Sequence, residues 1–233
     1  MPARADRPLT IFAAASTTPP MEEIARLYEE AGNGRVRLVF ASSGLLARQI
    51  DNGAPADLFL SANLRWMEWL AERGRLAGDP VALLGNALVL IQPVDAFEKL
   101  TLDEGLVRRL GGAKLAMADP DHVPAGIYAR QALESLGLWD GLQPAIVRMT
   151  DVRATLFLVE RGEVAAGIVY ASDVVANPRV RQADSFPAES HAPIVYPAAV
   201  LADGYHDHGR RFLEFLRSPD AAQVFRRHGF GLQ

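Results

Sequence analysis

The chain has 233 residues, 49% hydrophobic and 22% charged, with 24 Lys and Arg against 28 Asp and Glu for a net charge of −4. This is globular composition, large enough for a core without a metal or disulfide staple, and it excludes a miniprotein or a disordered chain. The acidic balance and the lack of a basic run exclude a nucleic-acid footprint, and the absence of cysteine removes thiol catalysis, Cys-ligated zinc and disulfides together.

Met1 to Pro8 is polar and lacks the apolar stretch of a secretory signal, so the chain reads as cytoplasmic or as a mature form with its signal removed. Leu9 to Ala15 predicts a strand that runs into Ser16, Thr17 and Thr18. Pro19 and Pro20 then open a helix with Ile24, Leu27, Tyr28 and Ala31 on one face. The pattern repeats: Val36, Leu38 and Phe40 alternate in a strand, Ala41 to Ser43 turn, and Leu46, Ala47 and Ile50 mark a helix that stops at Gly53. A third unit follows, with a strand over Asp57 to Leu60 and a helix capped by Ser61 to Asn63 that ends near Gly74. Leu83 to Ile91 is apolar but too short and interrupted to span a bilayer, and a buried strand is expected over Ala87 to Ile91.

After a weaker helical stretch near Leu102 to Leu110, strand-and-helix alternation resumes. Lys114 to Ala118 predicts a strand, Asp119 to Val123 a loop, and Pro124 the first residue of a helix. Arg148 to Thr150 ends another strand, Thr150 or Asp151 caps the next helix, and Ala166 to Tyr170 is a further strand. Apolar Pro193 to Leu201 precedes two helical stretches, Gly209 to Leu216 and Asp220 to Phe225. Alternating β and α elements imply two α/β lobes, each a mainly parallel sheet between helices, with ligands beyond the carboxyl ends of the strands.

No GxSxG, GxxxxGK, GxGxxG or HExxH string occurs. His206 and His208 could chelate a metal, but Gly204, Asp207 and Gly209 around them read as a solvated loop. Helix N-termini leave amides unpaired and each carries roughly half a positive charge. Four such termini are expected, after Ser16, at Ser43, at Ala125 and at Val152; together they would offset about two negative charges without Arg or Lys. Taken singly, Ser16, Ser43 and Thr150 read as helix caps, the default for Ser and Thr at such positions, and Tyr170 reads as a core tyrosine.

The strings Phe12-Ala-Ala-Ala-Ser16, Ser42 to Ile50, Gly53 to Ala62, Asp119 to Tyr128, Asp151-Val-Arg153, Gly167-Ile-Val-Tyr170 and Tyr196-Pro197 resemble those of the periplasmic molybdate-binding proteins of ABC-type uptake systems, from residue 9 to the C-terminus. The resemblance implies an α/β, two-lobed periplasmic-binding-protein fold of type II. Its lobes would be 1–84 plus 194–233, and 85–193, with hinge crossings near 84–85 and 192–193. It implies a molybdate, and with it tungstate, oxyanion in the cleft between the lobes, held by Ser16 and Ser43 from the first lobe and by Ala125, Val152 and Tyr170 from the second. Ala125 and Val152 would act through backbone N–H groups, and no side chain would ligate a metal directly. Asp151 is expected to turn away from a dianion and serve its helix. A non-enzymatic, periplasmic, monomeric carrier without a cofactor follows, delivering its ligand to an inner-membrane ABC permease. Two rivals stay open: a sulfate- or phosphate-type oxyanion carrier, and a cytoplasmic sensor or enzyme on the same scaffold.

Overall fold

A computed structural model describes residues 7–175 and 177–233. Residues 1–6, on which much of the reading of the N-terminus rests, lie outside the described residues. In chain order the elements begin with β1 (Leu9–Ala14), α1 (Thr18–Glu30), β2 (Val36–Ala41), α2 (Ser43–Asp51), β3 (Leu58–Leu60), α3 (Leu64–Ala71) and β4 (Val81–Gly85). The middle of the chain gives β5 (Leu88–Pro93), α4 (Leu106–Leu110), β6 (Leu115–Ala118), α5 (Pro124–Ser135), α6 (Trp139–Leu142), β7 (Ile146–Met149), α7 (Val152–Glu160), β8 (Ala166–Tyr170), α8 (Ala171–Val174) and β9 (Val180–Ser185). The last stretch adds β10 (Val195–Val200), α9 (His206–Leu216), α10 (Pro219–Arg227) and β11 (Gly231–Leu232).

The chain divides into two compact units, one formed by the chain up to Leu84 with Val195–Gln233, the other by Gly85–Ile194. Ile194, expected with the first lobe, packs with the second unit. The first unit holds a six-stranded sheet in the order β11-β4-β10-β3-β1-β2. β1 runs parallel to β2 and β3, and β10 is antiparallel to β3. All six residues of β1 are buried, the near-continuous apolar run expected of a strand covered on both faces. On one face α2 and α3 pack Leu46, Ile50, Trp66, Met67 and Leu70 against Phe12 and Phe59. Tyr28 of α1 meets Phe212 and Phe215 of α9 edge-on at 4.9 and 5.2 Å. Asp57, 1% exposed, joins the unit's early and late segments, because its carboxylate accepts the Thr10 N–H at 2.8 Å and the Tyr205 N–H at 2.7 Å and pairs with Arg7.

The second unit holds a five-stranded sheet, β7-β6-β8-β5-β9. β6 is parallel to β7 and β8, whereas β5 is antiparallel to both β8 and β9. Helix α7 lies close over this sheet: a Cβ on Gly167 would stand 2.7 Å from a Val159 methyl.

Three local expectations differ. The hydroxyl-rich segment after β1 is a 3-10 turn, Ala15–Thr17, leading straight into α1 at Thr18, because Thr17 and Thr18 donate their hydroxyls back to the Ala14 and Ala15 carbonyls at 2.7 and 2.8 Å. Strands β4 and β9 had no counterpart in the sequence reading. The histidine segment is helical: α9 starts at His206, with Asp207 in its first turn, where a negative charge suits the helix dipole. His206 Nε2 lies 2.7 Å from the Ala202 carbonyl, and the His208 ring lies 3.9 Å from that of Tyr205. Among the described residues no group of three or more His, Cys, Asp or Glu side chains could hold a metal, and no helix is long and apolar enough to cross a membrane.

Candidate functional site

In the first unit the pairing of Ala14 with Ala41 and of Ala13 with Leu60 brings the carboxyl ends of β1, β2 and β3 to one sheet edge. Ser16 and Ser43 each stand two residues past that Ala14–Ala41 pair, at the same edge. Neither is a cap. Ser42 is the residue before α2, and Ser43 is its first helical residue; no side chain caps the turn holding Ser16. The Ser43 hydroxyl oxygen instead accepts the Ala62 N–H at 2.9 Å, and the Ser16 hydroxyl lies 3.0 Å from the phenol oxygen of Tyr196. Ser16 is 5% exposed and Ser43 1%. The first intrahelical bond of α2 runs from Leu46 N–H to the Ser42 carbonyl. The amides of Ser43, Gly44 and Leu45 therefore precede the ladder, as the start of a helix requires.

Ser61 and Asn63 complete this edge. The Ser61 N–H donates to the Pro197 carbonyl of β10 at 2.9 Å, and Asn63 caps α3 by accepting the Trp66 N–H at 3.2 Å. Together these bonds fix the Ala62 amide that holds Ser43.

In the second unit Ala118 pairs with Met149, and Met117 with Ile168, so β6, β7 and β8 also end at one edge. Ala125, Val152 and Tyr170 all lie there. Ala125 is the second residue of α5, whose first intrahelical bond is Ile127 N–H to the Val123 carbonyl. The helix starts hard against the end of β6: a Cβ on Gly126 would lie 2.2 Å from the Ala118 carbonyl oxygen and 2.4 Å from that of Asp119. Only glycine fits between them, and that contact sets where the Ala125 amide sits.

Val152 opens α7. Asp151 is the cap, its Oδ1 accepting the Ala154 N–H at 2.9 Å, so its carboxylate serves the helix as expected and Thr150 does not cap. The amides of Val152 and Arg153 are left ahead of the first bond, Thr155 N–H to the Asp151 carbonyl. Tyr170 ends β8, 1% exposed, opposite Leu88. Its N–H donates to Asp173 Oδ2 at 3.1 Å. Asp173 is fully buried and its second oxygen, Oδ1, has no hydrogen-bond partner among the described residues. Burial pushes this carboxyl up to about 7, opposed by the Tyr170 N–H and the Arg153 charge and reinforced by Asp151.

The five residues named from the sequence thus fall on two sheet edges, Ser16 and Ser43 on one and Ala125, Val152 and Tyr170 on the other. By residue type they supply two serine hydroxyls, a phenol and backbone amides, with no charged side chain, a donor set suited to an anion. Three partners were missed as such: Tyr196, the Ala62 amide and Asp173. The strings quoted above contain Tyr196 and Ala62, but nothing in the strings says what they touch.

A family model described as bacterial extracellular solute-binding protein matches residues 9–231. The chain belongs to this family. It is 43% identical over 229 residues to the molybdate-binding protein ModA of Escherichia coli, with 97% of this chain and 89% of that protein aligned. To ModA of Haemophilus influenzae it is 40% identical over 226 residues, covering 95% and 89% of the two chains. The structure of the periplasmic molybdate-binding protein of Azotobacter vinelandii superposes with a TM-score of 0.85 at 24% identity, covering 97% of this chain and 99% of that one. The fold of this solute-binding family member is therefore that of the periplasmic binding proteins, with two mixed sheets flanked by helices.

Proposed function

We propose that this solute-binding protein captures molybdate, and tungstate with it, as the intact oxyanion, and that it hands the anion to an ABC-type permease without chemical change. In this reading Ser16, Ser43, Ala125, Val152 and Tyr170 are the ligand-binding residues. Capture takes place in the periplasm, by a monomer that needs no cofactor. The chain's two passages between units, after Leu84 and after Ile194, serve as the hinge.

The observation that carries the reading is the pair of buried serines on one sheet edge, each hydrogen-bonded by another group of the protein. Helix-start amides add partial positive charge beside them. Such a site stabilises a dianion through hydrogen bonds and leaves a proton on the anion with nothing to accept it, which disfavours monohydrogen phosphate. The likeness to the two ModA proteins supports molybdate over other dianions.

A thermal-shift series with molybdate, tungstate, sulfate and phosphate tests it. Molybdate and tungstate at about a thousand times their dissociation constants should add roughly 4 kcal/mol to the stability of the fold. Sulfate and phosphate at the same concentrations should add much less. Equal shifts with sulfate refute the molybdate assignment.

A further inference from the structure

A serine hydroxyl has one proton and two lone pairs and rotates to suit its neighbours. Left free, it donates to a bare oxyanion and turns round to accept from a protonated one. At the first unit's edge that freedom is restricted. The Ala62 amide can only donate, so its 2.9 Å bond occupies a lone pair of the Ser43 oxygen and leaves the Ser43 proton for a ligand. The Ser16 to Tyr196 contact, at 3.0 Å, permits either direction on distance alone. An anion beside Ser16 decides it, because the serine proton then goes to the anion and the phenol donates into the serine lone pair.

We propose that Tyr196 is a positioning residue that holds Ser16 as a hydrogen-bond donor to the bound oxyanion, as the Ala62 amide holds Ser43; the inference rests on the molybdate reading above. Tyr196 is built to stay in place. It is fully buried, its ring meets Phe230 edge-on at 5.5 Å, and the strand that carries it is tied at the next residue by the Ser61 N–H to the Pro197 carbonyl. A phenol donating to a hydroxyl that itself donates to an anion forms a chain of aligned dipoles, in which each bond strengthens the next. Tyr196 thereby acts on affinity through Ser16.

The test is a double-mutant cycle read by calorimetry with sodium molybdate, using the wild type, Tyr196→Phe, Ser16→Ala and the double variant. Tyr196→Phe keeps the ring against Phe230 and removes only the hydroxyl, so molybdate should bind about fivefold more weakly. Added to Ser16→Ala, the same change should cost nothing further. An equal loss in both backgrounds, or wild-type affinity in Tyr196→Phe, overturns the proposal. Phe230→Leu disturbs the same ring packing with the phenol intact, and its effect should be the same with or without Ser16. A loss there that depends on Ser16 also overturns it, by making packing the cause. A wild type that takes up no molybdate refutes the function itself, whereas molybdate binding with additive variants refutes only the role of Tyr196.

Discussion

At the scale of single residues, the candidate site depends on side chains and amides whose neighbours have already settled their orientation. Ser16 and Ser43 would pass for caps in any β-to-α turn, yet Thr17 and Ser42 occupy the cap positions of α1 and α2. Gly126 shows the same logic in the backbone. With carbonyl oxygens 2.2 and 2.4 Å from where a Cβ would stand, even Ala forces the first turn of α5 away from β6 and moves the Ala125 amide with it. Gly126→Ala should therefore lower both the melting temperature and molybdate affinity. A variant that melts and binds as the wild type would mean that the turn yields without moving the amide. The five proposed site positions were named from recognisable strings, and Tyr196 stands in one too. Its contact with Ser16 was not legible, because the two lie 180 residues apart and the placement of β10 beside β3 brings them together.

At the scale of elements, the junction of β8 and α8 carries a titrating group. Asp173 accepts the Tyr170 N–H, and burial raises its carboxyl from the ordinary 3.8 to about 7. Between those values the folded protein keeps a proton that the unfolded chain has lost. This contribution to stability is fully present below about pH 4 and declines as pH rises through about 7. The groups bearing on it, Asp151 and Arg153, both belong to the start of α7 and act in opposite senses. Asp173→Asn cannot ionise and still offers the Tyr170 amide an oxygen, so its denaturation midpoint should fall less than the wild type's between pH 5 and pH 8. Parallel midpoints in the two proteins would show that Asp173 does not titrate in that range.

Most elements were readable from periodicity, since buried parallel strands such as Leu9–Ala14 and amphipathic helices such as α1 declare themselves. Strand β9, with Arg181, Gln182, Asp184 and Ser185 in six residues, lies at the edge of its sheet and lacks the apolar run of a central strand. Strand β4 follows Gly78 and Pro80, which read as loop. Their pairing, not their composition, makes them strands.

At the scale of the whole molecule, one unit is continuous in sequence and the other is not. Gly85–Ile194 contains all five strands of its sheet, whereas the first unit's sheet places β10 between β3 and β4. A chain emerging from the ribosome therefore meets its two halves in the reverse of their numbering. Residues 7–84 must wait, with one side of β3 unpaired, until residue 200 has emerged, while the middle of the chain has everything it needs once residue 194 is out. Ribosome-stalled chains long enough to bring residue 194, but not β10, out of the exit tunnel should resist protease across 85–194 and be cut within 7–84. Chains stalled past the C-terminus should resist throughout. Protection of 7–84 in the shorter chains would show that those strands close on themselves without β10. The segment that carries Ser16 and Ser43 is thus synthesised before 85–194 and finished after it.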